Sequence, residues 1–255
     1  MPDGKATRWL LRLLWARRLI TTQSLFEADI AAPDNKFDPQ SIRLSQVGSC
    51  IRLHSLRAIG KAGIGYTDED QATFLSGHFL SDLIAARWEK EYPGGVLREV
   101  VVHPPEHLAG VDTGHIDLYI VPLNHMVEVK STRGSSLRFL PHPGYVEQLQ
   151  SYHHFWGRHH GRVIVEHQGG FLPIQKAGPS TGELCYVLKD KILPPVSFEV
   201  EYDVEASGRV EEHLLTVIEA KRTGVAPPIP EGMNPNTFPC NWGKGKCQMY
   251  HWCWQ

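Results

Sequence analysis

Four of the five cysteines are divided one against three: Cys50 stands near the front of the chain, while Cys240, Cys247 and Cys253 fall within residues 240–255. Between them lie Gly114-His115-Ile116-Asp117, then Glu128-Val129-Lys130, then Gln148-Leu149-Gln150-Ser151-Tyr152. One group holding all four thiols would tie the two ends of the chain together across that acidic centre, and its binding energy would become folding energy. Three close thiolates and one remote one suit tetrahedral zinc or a cubane iron–sulfur cluster. No pair here has the Cys-x-x-Cys spacing common in zinc modules. The competing reading is buried free thiols, weak hydrophobes with no metal. That is the reading adopted for Cys185, which sits in an apolar strand segment.

A chain of 255 residues with 42% hydrophobic and 21% charged residues can bury an ordinary core. Its formal net charge of -2 predicts no strong non-specific pull toward nucleic acid, although a local basic groove is compatible with it. No apolar run approaches the roughly 20 residues of a membrane helix, so no membrane association is expected. Arg8-Trp9-Leu10-Leu11-Arg12-Leu13-Leu14-Trp15-Ala16-Arg17-Arg18 is interrupted by arginines and lacks a signal-peptide core. It reads as an amphipathic helix packed on the domain, a helix contacting DNA or a partner, or a targeting peptide. Five cysteines without a secretory signal fit a reducing compartment, and the expected location is the cytoplasm.

Residues 31–40 read as a loop, and the stretch from Cys50 to Gly60 as a helix ended by glycines. A long helix is expected from about Asp70 to Tyr92, stopped by Pro93-Gly94-Gly95. Short branched runs at Val100–Val102, Ile116–Val121 and Met126–Lys130 predict strands, the last two joined through Asn124-His125 as a tight hairpin. Pro143 opens a helix to about Trp156. Further strands are expected at Arg162–Glu166, Leu184–Leu188 and Ser197–Tyr202, and a helix at about Val204–Lys221. Pro227-Pro228-Ile229-Pro230 is a stiff connector into the cysteine-rich tail. This is an α/β order. The expected division is a basic N-terminal helix and loop over 1–40 and a single domain over 41–255, closed by the cysteine segment 236–255.

Asp117 and Glu128 fall on adjacent strands of the predicted hairpin, so their carboxylates can converge on one sheet edge. Lys130, two residues past Glu128, shares its face because side chains alternate along a strand. Two carboxylates of this kind suit magnesium or manganese, and an ammonium beside the ion can orient an attacking water. The bland reading is a solvated cross-strand pair, but apolar flanks argue against it, since a carboxylate in a buried-looking strand needs a compensating partner.

Gly-His-Ile-Asp followed by Glu-Val-Lys resembles the PD-(D/E)XK nuclease superfamily, with Asp117, Glu128 and Lys130 at the signature positions. Gln148 and Tyr152 match the Gln-x-x-x-Tyr motif of its RecB-like branch, on the helix that follows the catalytic hairpin. The resemblance implies a restriction-endonuclease-like core, a central mixed sheet flanked by helices. It also implies Asp117, Glu128, His78 and the Val129 carbonyl as metal ligands for Mn2+ or Mg2+, and Gln148 and Tyr152 as substrate-positioning residues on the DNA backbone. His78, on the long helix, could equally be a satisfied core or surface histidine. His153, His154, His159 and His160 look like a second metal cluster, but a helix end and an exposed loop explain them as well.

One cysteine before such a core and three after it resembles the iron–sulfur-stapled subgroup, which includes AddB-type nucleases and the CRISPR-associated RecB-like exonucleases. The implied cluster is a structural 4Fe-4S held by Cys50, Cys240, Cys247 and Cys253, with zinc as the alternative occupant. The six-residue gap between Cys240 and Cys247 departs from the subgroup's commoner spacing. The implied activity is a DNA exonuclease acting on single-stranded or frayed ends, in CRISPR spacer acquisition, phage recombination or repair. The chain has no phosphate loop of the Gly-x-x-x-x-Gly-Lys-Ser/Thr type. Any helicase, integrase or recombination protein would therefore be a separate partner. The alternative from another class is a non-catalytic, metal-stabilised module that binds DNA or a protein.

Overall fold

The runs of branched residues pair into a mixed sheet with helices packed on both faces, in a computed structural model. It describes residues 38–255 except 39, 65–67, 159–163, 168–169, 174–178, 180, 192 and 242–244. The basic segment 8–18, His159 and His160 lie outside the described residues, and no side chain is described for 65–76 or for His78. Asp38–Gln255 form one compact unit, distinct from Met1–Phe37.

In chain order the elements are β1 (Ile42–Arg43), α1 (Ile51–Ala58), α2 (Asp68–Glu91), β2 (Val96–Val102), β3 (Val111–Asp112), β4 (Gly114–Ile120), β5 (His125–Thr132), α3 (Pro143–Arg158), β6 (Ile164–His167), β7 (Gly170–Pro173), β8 (Thr181–Leu188), β9 (Val196–Glu201), α4 (Val204–Thr223) and α5 (Tyr250–Trp254). Five of the strands form the central sheet in the order β2-β4-β5-β8-β9. β5 and β8 run parallel, and the other neighbours are antiparallel. The expected architecture, a central mixed sheet flanked by helices, is therefore present. Two short pairs, β1 with β3 and β6 with β7, lie outside the sheet and were not foreseen beyond the segment of β6.

Alternation along β5 sorts the core into two layers. Met126 packs on one face with Leu149, Tyr152 and Trp156 of α3 and Val210, Leu214 and Val217 of α4. Val127 and Val129 pack on the other with Ile84 and Ala85 of α2. Tyr152 and Trp156 are fully buried, each contributing on the order of 2–3 kcal/mol of burial. The α4 boundaries follow from its caps: the Asp203 carboxylate accepts the Glu205 N–H, and Gly224 ends the helix in the left-handed region at φ 72°. The β4–β5 connection differs from the expected two-residue hairpin turn. It is a 3-10 turn over Val121–Leu123, with Asn124 left-handed at φ 47° and its amide oxygen accepting the Tyr119 hydroxyl.

A third, smaller core joins α1 to the C-terminal segment through Leu56, Cys247 and Met249. Polar bonds fasten the same seam. Arg57 binds the Gln248 side chain, Arg52 binds the Pro227 carbonyl, and the Trp252 indole donates to the Ala62 carbonyl at 2.8 Å. Against this seam the loop before α1 meets the first turn of α3 with no space between backbones. A Cβ on Gly48 would lie 1.8 Å from the Gly144 oxygen. Gly48→Ala should therefore cost roughly 2–3 kcal/mol of unfolding free energy in urea titration. Wild-type stability for that variant would contradict the close approach.

Candidate active site

The ladder between β4 and β5 runs through Ile120–His125, Tyr119–Met126 and Leu118–Val127, and then stops. The next pair in register would be Asp117 and Glu128. There the strands part, and the Asp117 carboxylate takes the place of a backbone acceptor: its Oδ2 receives the Val129 N–H at 2.7 Å. Glu128 is 2% exposed. Its Oε1 accepts from the Lys130 ammonium at 2.6 Å and from the Gln148 amide at 2.8 Å. Its Oε2 is buried and has no hydrogen-bond partner among the described residues. An orphaned carboxylate oxygen in such a place is costly unless something positive meets it.

Charges in this pocket shift one another. Burial, and then the Glu128 charge, hold the Asp117 carboxyl well above the usual carboxylate range, against the pull of Lys130 and the Val129 N–H. Burial alone would lower the Lys130 ammonium, but Glu128 and Asp117 outweigh it and keep the group protonated. Burial and Glu128 likewise raise the Tyr152 phenol well above its ordinary value, so it remains an O–H.

Sequence spacing placed Gln148 and Tyr152 on one helical face, able to bond the DNA backbone and the edge of the active site. The structure turns that face inward. Gln148 is 4% exposed and Tyr152 fully buried, and the Gln148 amide bridges Glu128 and the Tyr152 hydroxyl, both at 2.8 Å. Gly114 makes this possible, since a Cβ there would lie 2.5 Å from the Tyr152 ring. The pair holds the carboxylate, and neither side chain is exposed to a phosphodiester. Val129 follows Glu128 on β5 with its N–H held by Asp117, and His78 lies on α2 with its side chain outside the described residues.

Two neighbours escaped the sequence reading. Glu99, between the register pairs Arg98–Leu118 and Val100–Ile116, stands opposite Asp117 and has φ 51° within β2. Positive φ in a non-glycine strand residue is strain of the kind that gathers at functional sites. Tyr145, on the first turn of α3, lays its ring 4.7 Å from the Lys130 nitrogen. Nothing in the sequence marks either residue.

Of the four histidines left unassigned, His159 and His160 lie outside the described residues, and His153 and His154 have separate partners. His153 Nδ1 bonds the Pro179 carbonyl at 2.9 Å, whereas His154 Nε2 meets Glu211 at 3.3 Å.

Cys50, Cys240, Cys247 and Cys253 line one cavity of about 470 Å³. The wide Cys240–Cys247 gap closes on itself: Asn241 and Lys246 form an antiparallel bridge, and the Cys247 N–H donates to the Cys240 carbonyl at 2.9 Å. Cys253 follows on α5. Cys185 lies apart, packed with Val127 and Val129, and burial pushes its thiol up to about 11. Among the described residues no three His, Cys, Asp or Glu side chains are gathered closely enough to hold a single metal ion.

No protein-family model matches the sequence, and no curated protein matches it. Among solved structures, SSO0001 is similar over 91% of this chain and 93% of that one, at 14% identity and a TM-score of 0.51, which is a likeness of fold. An alkaline exonuclease from Laribacter hongkongensis aligns over 73% of this chain and 90% of that one, at 13% identity and a TM-score of 0.45. A phage related exonuclease from Haemophilus somnus 129PT aligns over 72% and 94%, at 11% identity and a TM-score of 0.48.

The raised Asp117 carboxyl has a measurable consequence. Its proton favours the native state, so the stability it lends is complete below the unfolded value near 3.8 and lost as pH rises through the higher folded value. Ionising Asp117 beside Glu128 in this buried pocket is therefore unfavourable without a cation. Asp117→Asn, whose Oδ1 can still accept the Val129 N–H, should therefore raise the melting temperature by about 2–4 °C in EDTA. Manganese should raise it for wild type and not for the variant. A variant that melts lower in EDTA would contradict this electrostatic reading.

Proposed function

We propose that this chain is a metal-dependent DNA nuclease, acting as an exonuclease on single-stranded or frayed ends, with a structural 4Fe-4S cluster tying its two ends. The observation that carries the reading is the buried Glu128 Oε2, left without a partner beside Asp117 and Lys130. A hard divalent cation, Mn2+ or Mg2+, is the group that such an oxygen lacks. Asp117, Glu128, the Val129 carbonyl and His78 would hold it. When bound, the ion offsets charge on the phosphodiester and makes a nucleophile of water at neutral pH.

The side chains divide the remaining work. Gln148, braced by the Tyr152 hydroxyl, occupies Glu128 Oε1 together with Lys130, which fixes Oε2 as the free face of the carboxylate. The Asp117 bond to the Val129 N–H fixes the second carboxyl on the parted strand. Lys130 remains an ammonium, so it donates toward the attacking water and stabilises charge developing on the phosphoryl oxygens without itself accepting a proton. Water attacks phosphorus in line as the bond to the sugar oxygen breaks; the attacking water's proton passes to solvent, and solvent protonates the departing oxygen.

The cysteine cavity supports the cluster assignment. A single zinc at about 2.3 Å from each sulfur would draw the thiols to within about 4 Å of one another. The four cysteines line one cavity, as a single group bound by all of them requires, and the iron–sulfur assignment over zinc rests on the resemblance.

Labelled single- and double-stranded DNA incubated with manganese tests the catalytic reading. Wild type should degrade single strands or ends, and Glu128→Ala and Lys130→Ala should each reduce the rate at least about 100-fold. Equal degradation by all three, or none by wild type, would favour the metal-stabilised binding module. For the cluster, anaerobically purified protein should be brown and contain iron and sulfide, and Cys50→Ser should lower its melting temperature. A colourless protein with stoichiometric zinc would overturn the iron–sulfur assignment.

A further inference from the structure

A connected row of rings runs from the C-terminal segment to Lys130, and the hydrolytic steps above do not use it. Phe238 meets the edge of His142 with centroids 5.5 Å apart and planes at 82°. His142 lies 5.1 Å from Tyr145, and Tyr145 covers the Lys130 nitrogen at 4.7 Å. All three rings stand at the rim of the cysteine cavity, where the two outer members are exposed, Phe238 at 63% and Tyr145 at 37%. A perpendicular contact leaves a face of Phe238 open, which accounts for that exposure.

Cations flank the row. The turn after β5 carries Arg133 and Arg138, and the turn after the neighbouring parallel strand β8 carries Lys189 and Lys191, all exposed. The Gly134 N–H donates to Asp190 Oδ1 at 2.8 Å and the Lys189 N–H to the Thr132 carbonyl at 2.9 Å, so the two turns sit together. Asp190 is the one acid of residues 131–145 and 187–195. In a chain with a net charge of -2, this is a local concentration of positive charge on two adjoining turns, one of which follows the strand that carries Glu128 and Lys130.

We propose that Phe238, His142 and Tyr145 form a base-stacking platform for a single strand of nucleic acid, with Arg133, Arg138, Lys189 and Lys191 following its phosphates. The proposal rests on the nuclease reading and specifies its substrate. Every base offers a π face, so stacking is tolerant of sequence, while cations hold the backbone. A duplex keeps those faces stacked on one another, so the platform selects a strand already separated. Because the row ends on the ring covering Lys130, a strand lying along it is led to Glu128 and Asp117.

Anisotropy of the full chain in EDTA, with labelled oligo(dT) and an abasic oligonucleotide of equal length, tests this directly. Wild type should prefer the strand with bases. Phe238→Leu and Tyr145→Leu should each weaken oligo(dT) binding about 5- to 100-fold and leave abasic binding unchanged. Phe238→Trp, which keeps a stacking face, should retain wild-type affinity. No preference for bases by wild type, or equal loss on both strands in the leucine variants, overturns the platform. If a leucine variant fails to fold, the wild-type preference and the Phe238→Trp result decide. The nuclease reading is scored separately, by manganese-dependent hydrolysis of bis(p-nitrophenyl) phosphate, a phosphodiester without a base. Hydrolysis with no base preference sinks the platform alone, and base preference without hydrolysis sinks only the catalysis.

Discussion

The parting of β4 and β5 beyond Leu118 and Val127 is the constraint on which the site depends. A continuous antiparallel ladder would turn Asp117 and Glu128 into an ordinary cross-strand pair of like charges, which is unfavourable. With the strands apart, the Asp117 side chain satisfies the Val129 N–H that the ladder abandons. Two carboxylates held this way destabilise the metal-free fold, and Lys130 and Gln148 offset only part of that cost. The residue of it is the orphaned Glu128 oxygen, where the proposed cation would bind.

Support for this arrangement comes from α3, and it reaches the distant ends of the chain. Gln148 and Tyr152 brace Glu128 from within the core, while Tyr145 on the helix's first turn shields Lys130. The start of the same helix is pinned by the backbone contact between Gly48 and Gly144. Gly48, His142 and Tyr145 also line the cavity of the four cysteines. A group in that cavity would fix the first turn of α3, and through it the cover over Lys130. Its effect on catalysis would be positional, since the cysteines do not enter the hydrolytic steps.

Much of this was legible in the sequence because it rests on periodicity. Alternation placed Glu128 and Lys130 on one face, and caps and prolines set the helix limits near Pro143 and Val204. What spacing could not give was direction. A separation of four puts Gln148 and Tyr152 on one side of a helix without saying which side is inward, and the deciding residue is Gly114, on another element. The gap from Cys240 to Cys247, wider than the subgroup's commoner spacing, is folded back by the Asn241–Lys246 bridge, which spacing alone does not reveal. Glu99 and Phe238 acquire meaning only from neighbours distant in sequence, which no local pattern records.

The central claim, that the parted strands hold a divalent cation on Glu128 and Asp117, is most directly tested by anomalous diffraction from crystals soaked in manganese. The account predicts one strong peak within bonding distance of Glu128 Oε2 and an Asp117 oxygen, with Lys130 still bonded to Glu128 Oε1. A peak elsewhere, or none at these carboxylates while Glu128 Oε2 finds a protein partner, would contradict it.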